Sequence, residues 1–310
     1  MSSPAGWLAA TVAISVLFGV GGPRLSRHLQ PARAVWLLSV GSLLVAAGAV
    51  IVPALVVMVV VGQWPPLAGI GQWSARPLAS TVSAGGVVAI AATAILLGQS
   101  WRLGRVLWVR GRELISAWLA CRGAASELVV IPGGPPVAMA VPGWPGRIVV
   151  SREFLRQMRP EQRRAVLAHE RGHLRSRHDL HLLAGSVAAA ANPLLGRVPA
   201  ALRLATERSA DELSAAVTGD RRLVAEAIGT AAALCSAHPH PAWAMHAMGA
   251  DVSLRVQSLL AGQPQRRPLV QVALVSLAAA AVAVAGLGLV DTKHLFEFAE
   301  RAHQIVSLHR

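Results

Sequence analysis

The stretch LAHERGHLRSRHD, residues 167–179, holds two histidines four positions apart, with a glutamate directly after the first. On an α-helix, His169 and His173 lie one turn apart on the same face, so both imidazoles can reach one metal ion. Glu170 lies beside them and can take a proton from a metal-bound water, whose pKa the ion lowers towards about 7. This HExxH spacing predicts a site for one Zn²⁺ ion, with Glu170 as the general base.

The residues around the motif decide between this interpretation and a chance match on a basic surface helix. Val166, Leu167, Ala168 and Leu174 are apolar, which is typical of a buried helix. Burying a glutamate and two histidines without partners would cost free energy. The surroundings therefore favour the catalytic interpretation.

A catalytic zinc site also needs a third protein ligand and one open position. We favour Glu207, in the segment ERSAD on a later predicted helix. Asp211 follows one turn further on the same face, where its carboxylate can accept a hydrogen bond from a liganding imidazole. The alternative is that both residues belong to a solvated acidic stretch paired with Arg203 or Arg208.

The histidines that follow the motif are weaker candidates for the third ligand. A histidine six residues after His173 would complete a different zinc motif, but that position is Asp179. His178 turns away from the metal face if the helix continues, so we interpret it as a residue that packs beside the site or supports a ligand. His181 is a similar weak candidate.

Hydrolysis also needs a donor for the negative charge that develops on the attacked carbonyl oxygen. The chain contains no tyrosine, so this role falls to arginine, histidine or backbone amides. Arg255, His246 and His240 are the candidates for oxyanion or substrate contacts. Each of them could instead be an ordinary structural residue.

Several predicted elements must position these residues. A helix is expected to begin at Pro160, because proline suits the first helical position and Glu161 suits the first turn. The preceding segment ELVVIPGGPPVAMAVPGWPGRIVVS has two β-branched runs between Gly/Pro turns and predicts a small β-sheet. The following segment LHLLAGSVAAAANPLLGRVPAAL is apolar but broken by Pro193 and Pro199, which predicts a buried or interfacial hairpin.

The composition indicates a membrane protein. Of the 310 residues, 54% are hydrophobic and the mean hydropathy is +0.51, whereas ordinary soluble proteins are about 45–50% apolar. Crossing the hydrocarbon core takes roughly 20 apolar residues. Four runs come near this length, at residues 7–22, 34–61, 78–98 and 268–290.

The two cysteines, Cys121 and Cys235, lie far apart in the sequence, which predicts reduced thiols.

The charge distribution predicts the topology. The net charge is +14, but the arginines form no continuous basic face and flank the apolar runs, so we expect no direct nucleic-acid binding. Loops rich in Lys and Arg stay in the cytoplasm. The predicted organisation is a membrane region with three spans at residues 1–100, a cytoplasmic metal-binding domain at 101–267, a fourth span at 268–290 and a short extracytoplasmic amphipathic tail at 291–310, with both termini outside the cell membrane.

Four segments resemble a known family. They are VAMAVPGWPGRIVVSREFL, EQRRAVLAHERGHLRSRHDL, NPLL and ERSADELSAAV, and together they cover much of the chain. They are similar to the BlaR/MecR-type integral membrane zinc metallopeptidases, a gluzincin branch related to HtpX and the CAAX prenyl proteases. The resemblance implies a mainly α membrane protein with four transmembrane helices and an inserted α+β gluzincin-type zinc metallopeptidase domain.

The resemblance also implies roles for individual residues. His169, His173 and Glu207 would bind the zinc ion, Glu170 would be the general base, and Asp211 would hold a ligand. In the related peptidases a peptide substrate lies along an edge strand beside the zinc, which implies β-strand addition. Here that strand would comprise Val137, Ala138, Met139, Ala140 and Val141. Arg255 matches the relatives' substrate-side arginine loosely.

One departure concerns the sensor function of the family. Its antibiotic-sensing members carry a penicillin-binding domain after the fourth span, whereas this chain has 20 residues there. Direct β-lactam sensing is therefore not expected, and the protease core is what the resemblance covers.

Three functions follow from these patterns as hypotheses. The first is a membrane-embedded zinc metalloendopeptidase at the cytoplasmic membrane face, whose protein substrate would be a transcriptional repressor if the signalling role of the family holds. The second is an HtpX-like protease for quality control of membrane proteins. The third is a sensor or scaffold stabilised by zinc, which would have a closed site of four protein ligands with His178 added.

Overall fold

The computed structural model describes residues 4–81, 85–124, 126–236, 252–262 and 266–308, and these residues are mostly helical. The helices that precede the sheet are α1 (Pro4–Ser26), α2 (Pro31–Val61), α3 (Pro65–Gly71), α4 (Ala75–Thr81) and α5 (Gly85–Ala120). The strands are β1 (Leu128–Ile131), β2 (Ala138–Val141) and β3 (Arg147–Ser151). After them come α6 (Arg152–Gln157), α7 (Pro160–Arg175), α8 (His178–Ala191), a 3₁₀ turn (Pro193–Leu195), α9 (Val198–Thr218), α10 (Arg221–Ser236), α11 (Val252–Leu260) and α12 (Pro268–Leu308).

Four helices are long and apolar enough to cross a membrane, as the sequence predicts. Their candidate spans are Gly6–Ser26, Pro31–Val61, Gly86–Leu119 and Pro268–Ser307. The third helix differs from the predicted bounds of 78–98, because residues 78–81 belong to α4 and α5 continues to Ala120. No proline lies between Pro77 and Pro132, so nothing stops the helix where its composition turns basic.

The predicted tail at 291–310 also differs from the structure, because α12 is one helix from the fourth span to Leu308. Beyond the predicted span, Leu295 and Ala299 are buried against Val59 and Leu78. The backbone N–H of Ser74 donates to the carbonyl oxygen of Ala299 at 2.9 Å. The end of α12 therefore packs on the far ends of α2 and α4.

The predicted hairpin packs inside the bundle of apolar helices. Ala188, Leu195 and Leu202 are fully buried in a core cluster with Phe18 and Leu38 of α1 and α2. Asn192 donates a hydrogen bond from Nδ2 to Oγ of Ser15 at 2.8 Å. Gly19 lets the carbonyl oxygen of Leu194 approach α1, because a Cβ there would clash with that oxygen. The hairpin thus ties the HExxH region to the membrane helices.

The three strands form one sheet in the order β1-β3-β2. β1 runs parallel to β3, and β2 runs antiparallel to it, with Ala138 opposite Val150 and Ala140 opposite Ile148. Ser151 at the end of β3 accepts hydrogen bonds at Oγ from the backbone N–H groups of Val137 and Phe154, at 3.1 and 3.2 Å. β2 is therefore an edge strand, and it packs beside α7.

Candidate metal centre

The two motif histidines lie on α7, whose start follows local rules. Pro160 is the first helical residue, and the backbone N–H of Arg159 donates to Oε1 of Gln162 at 3.1 Å. The helix ends at Arg175, and Arg177 takes the left-handed conformation with φ of 48°. This turn starts α8 at His178, so the chain folds back instead of continuing along the axis of α7.

Close packing of α7 on α9 brings Glu207, the candidate third ligand, to the histidine pair. A Cβ at Gly172 would lie 3.3 Å from Cα of Ala210, so the two backbones approach closely at this point. The buried Oγ of Ser214 donates to the carbonyl oxygen of Ala165 at 2.7 Å. These contacts fix the distance between the helices, and with it the position of Glu207.

The donor atoms of His169, His173 and Glu207 converge and could hold a metal ion. Nε2 of His169 lies 3.1 Å from Nε2 of His173, and the two Nε2 atoms lie 3.5 Å from the Oε2 and Oε1 atoms of Glu207, respectively. Tetrahedral zinc with ligand bonds of about 2.0–2.1 Å needs donors about 3.3 Å apart. The three side chains therefore fit Zn²⁺ in donor type and in spacing.

The outer nitrogens of both histidines have partners. Nδ1 of His169 lies 2.9 Å from Oδ1 of Asp211. Nδ1 of His173 lies 3.0 Å from Nδ1 of His178, which is 1% exposed. Such partners fix the orientation of a liganding ring and leave its other nitrogen for the metal. The Asp211 contact agrees with the sequence prediction, whereas His178 supports His173 from the side opposite its metal-facing nitrogen.

Arg255 of α11 binds the two carboxylates of α9. Its Nε and Nη2 donate to Oδ2 and Oδ1 of Asp211 at 2.8 and 2.7 Å, and its Nη1 lies 3.0 Å from Oε2 of Glu207. Arg255 is predicted from the sequence to contact an oxyanion or the substrate, and in the structure its three guanidinium nitrogens contact Asp211 and Glu207. Sequence reasoning missed this pairing, although two buried carboxylates beside one metal predict a nearby cation.

The electrostatics of the site favour an ionised glutamate. Burial raises the pKa of Glu207, but His173, His169 and Arg255 outweigh it and hold that pKa well below its usual range. Burial, followed by the charge of His173, lowers the pKa of His178 to about 3, so its ring is neutral. A neutral His178 can accept a hydrogen bond at Nδ1 from the Nδ1–H of a metal-binding His173.

The pKa of His169 moves in the opposite direction. Burial lowers this pKa, but the hydrogen bonds with Asp211 and Glu207 raise it to about 10. A histidine binds metal as the neutral imidazole, so a metal ion at this site would compete with the proton on His169.

The remaining predicted residues have different places. Glu170 is half-buried on α7, directly after His169. His181 contacts α2 instead of the metal-binding group, with Nδ1 2.8 Å from Oγ of Ser39. His246 and His240 lie outside the described residues.

Replacing Gly172 by valine is expected to force α7 and α9 apart. The added side chain would meet Ala210 and Leu213, both 3.3 Å from the position of Cβ. We expect the free energy of unfolding to fall by about 1–3 kcal/mol, with weaker zinc binding, as measured by thermal unfolding with and without zinc. Gly229→Val is the matched control, because no described atom lies within 4 Å of its Cβ position. Equal effects of the two substitutions would contradict the packing role of Gly172.

Replacing His178 by phenylalanine is expected to weaken zinc binding about 10- to 100-fold. The substitution keeps a ring in the buried position but removes the acceptor for Nδ1–H of His173. A competition titration with a chromogenic chelator measures the change. His181→Phe is the control, since His181 contacts Ser39 instead. If both variants bind zinc like the wild type, His178 does not orient His173.

One comparison with known proteins gives a match in this region. Residues 125–203 match the family model described as Peptidase family M48. The matched range contains His169, Glu170 and His173, whereas Glu207 and Arg255 follow it. No curated protein and no solved structure matches the chain. The match supports a gluzincin-type membrane protease and does not confirm the BlaR/MecR-type specificity. The match over residues 125–203 thus supports a metallopeptidase activity.

Proposed function

We propose that the protein is a membrane-embedded zinc metalloendopeptidase that hydrolyses a peptide bond at the membrane surface. The single observation that carries this proposal is the convergence of His169, His173 and Glu207 at zinc-binding distances, and Glu170 directly follows His169 on the same helix. A site with three protein ligands keeps one position open, which catalysis requires.

Each residue of the site has a task in this reaction. A bound zinc ion supplies Lewis acidity, lowering the pKa of a coordinated water to about 7 and polarising the scissile carbonyl group. Glu170 takes up a proton at its carboxylate and passes it to the nitrogen of the leaving amine. Asp211 and His178 hold the rings of His169 and His173 through Nδ1, so both Nε2 atoms stay directed at the metal.

Two contacts support a site level with the membrane surface. Asn192, which follows α8, hydrogen-bonds Ser15 near the middle of the first candidate span. His178 is the first residue of α8, and the 14 residues of α8 correspond to a length of about 21 Å. The distance from the middle of the hydrocarbon core to its edge is about 15 Å. The length of α8 is therefore sufficient to reach from the middle of the core to the membrane surface. Nη1 of Arg208, next to Glu207, donates to the carbonyl oxygen of Arg27 just beyond α1 at 3.2 Å. The arginine distribution supports the cytoplasmic surface.

The edge strand β2 supports binding of the substrate as an extended peptide. Val137 and Ser151 form a hydrogen-bonded pair, since the N–H of Ser151 donates to the carbonyl oxygen of Val137. Because such pairs alternate along antiparallel strands, the N–H and C=O groups of Ala138 and Ala140 point to the open edge. A peptide adding as a further strand would use these groups. This binding mode is compatible with both substrates predicted from the sequence, a transcriptional repressor and a damaged membrane protein.

The sensor or scaffold hypothesis has less support. It requires His178 as a fourth ligand, but His178 contacts Nδ1 of His173, on the side of the ring away from the converging Nε2 atoms.

Metal removal tests the proposal directly. We expect the purified protein in detergent to bind one zinc ion per chain and to cleave itself or a casein-type substrate. Treatment with 1,10-phenanthroline, which removes zinc, should stop cleavage, and added zinc should restore it. The reason is that the proposed reaction needs the zinc ion to activate water. Zinc content is measured by mass spectrometry and cleavage by identification of the fragments. Cleavage that persists without zinc would contradict the proposal.

A further inference from the structure

A second feature near the metal centre is an apolar cavity of about 450 Å³. Its walls include Leu114, Ile115 and Trp118 of α5, Pro142 and Trp144 of the β2–β3 loop, and Arg177 between α7 and α8. The four large apolar side chains among these residues are all more than 40% exposed. Leu114, Ile115 and Trp118 lie in the last part of the candidate span Gly86–Leu119, so this exposed apolar surface faces either a ligand or lipid. The 34 residues of that span correspond to about 50 Å, and a bilayer core takes about 30 Å, so the last turns of α5 can lie outside it.

The cavity adjoins the metal-binding residues. Arg177 in its wall directly precedes His178, whose Nδ1 lies 3.0 Å from Nδ1 of His173. Asp179, which follows His178, also lines the cavity. The cavity wall therefore includes both chain neighbours of His178, the residue that supports a metal ligand.

The cavity also continues the open edge of the sheet. Pro142, Gly143 and Trp144 follow the last residue of β2 without a gap. A paired peptide advances along β2 at the same rise as the strand, about 3.3 Å per residue. A peptide paired with β2 therefore reaches the cavity about three residues beyond the centre of the strand. In antiparallel pairing, the N-terminal part of the peptide lies at the C-terminal end of β2.

Arginine side chains contact both tryptophans of the cavity wall. The guanidinium of Arg177 lies 4.8 Å from the ring centre of Trp144, and its Nη1 donates to the carbonyl oxygen of Gly143 at 3.5 Å. The guanidinium of Arg122 lies 5.5 Å from the ring centre of Trp118. Cation–π contacts of this kind orient both indoles, and their apolar surfaces suit an aliphatic or aromatic partner.

We propose that this cavity binds a large apolar side chain in the part of the substrate that precedes the scissile bond. The inference rests on the proposed peptidase function, because it takes the occupant to be a peptide paired with β2. The preferred substrate is then an extended segment with a bulky apolar residue. Trp118 and Trp144 provide the selectivity for that residue.

Photo-crosslinking tests occupancy without requiring cleavage. The full chain with Glu170→Gln, in lipid nanodiscs, is irradiated with a peptide that carries benzoylphenylalanine. We expect adducts on residues 114–118 or 142–144, and loss of these adducts when a competing peptide with leucine is added. A peptide with alanine in place of benzoylphenylalanine should not compete. Adducts elsewhere, or labelling of these residues only by a lipid with a photoreactive acyl chain, would overturn the proposal in favour of a lipid-facing surface.

Cleavage of paired peptides tests selectivity. In the wild type, the peptide with phenylalanine should be cut with a kcat/KM about 10- to 100-fold above that of its alanine counterpart, and Trp118→Ala should remove most of this ratio. Trp108→Ala is the control, because Trp108 is an exposed indole of α5 outside the cavity. A ratio near one in the wild type, or a bulky preference only after the scissile bond, would overturn the inference while the peptidase function stands. Crosslinking without any cleavage would instead contradict the peptidase function.

Discussion

Replacing Glu170 by glutamine is expected to reduce peptide hydrolysis by about 10²- to 10⁴-fold while zinc binding stays unchanged. The amide keeps the size of the side chain but cannot take up a proton. The three converging donors belong to His169, His173 and Glu207, so the metal keeps its ligands. Turnover of a peptide substrate and zinc content, measured on the same preparation, separate the two effects.

The control for this substitution is Glu161→Gln. Glu161 lies in the first turn of the same helix and is exposed to solvent, so its loss should leave both turnover and zinc content near the wild-type values. Glu170→Gln activity within about threefold of the wild type would remove Glu170 as the base. A loss of zinc in this variant would indicate that Glu170 is itself a ligand.

Replacing Arg255 by methionine is expected to destabilise the protein by about 3–5 kcal/mol, because it leaves buried carboxylates without their cation. Asp211 is 1% exposed and accepts two hydrogen bonds from Arg255, which is itself 8% exposed. Burial raises the pKa of Asp211, and the hydrogen bonds from Arg255 and His169 hold it below its usual value. Thermal unfolding of the zinc-free protein should show the loss as a lower Tm.

A double-mutant cycle makes this result specific. Asp211→Asn combined with Arg255→Met should recover part of the stability, since the charge of Asp211 is then no longer left without Arg255, while Glu207 still lacks it. Arg159→Met is the control: its partner Glu226 is 50% exposed, and exposed ion pairs contribute about 0–1 kcal/mol. Additive effects in the cycle would show that Asp211 and Arg255 do not act as a pair.

The sequence could predict features that depend on local spacing. Helical periodicity brings His169 and His173 to one face, because residues four apart are neighbours on any α-helix. The number of apolar helices followed from the length and composition of the runs, which the thickness of a bilayer limits. Asp211 could be related to a metal ligand for the same reason, since it lies one turn from Glu207.

Other features depended on where helices end. His178 was expected to turn away on a continuing helix, but α7 ends at Arg175 and the left-handed Arg177 redirects the chain, so His178 returns to His173. The helix that holds most of the third predicted span runs on to Ala120, because no proline stops α5. Helix ends depend on a few residues and on tertiary contacts, so periodicity alone locates them poorly.

Thus the amino-acid sequence by itself determined the chemistry of this protein: a histidine pair, a glutamate beside it and a membrane setting. Only the tertiary structure decided which distant residues complete the site. Arg255 lies 44 residues after Asp211 and reaches it because α11 packs on α9. The apolar cavity likewise joins α5, the β2–β3 loop and the α7–α8 turn. Such contacts arise from the packing of separate elements, and no local pattern encodes them.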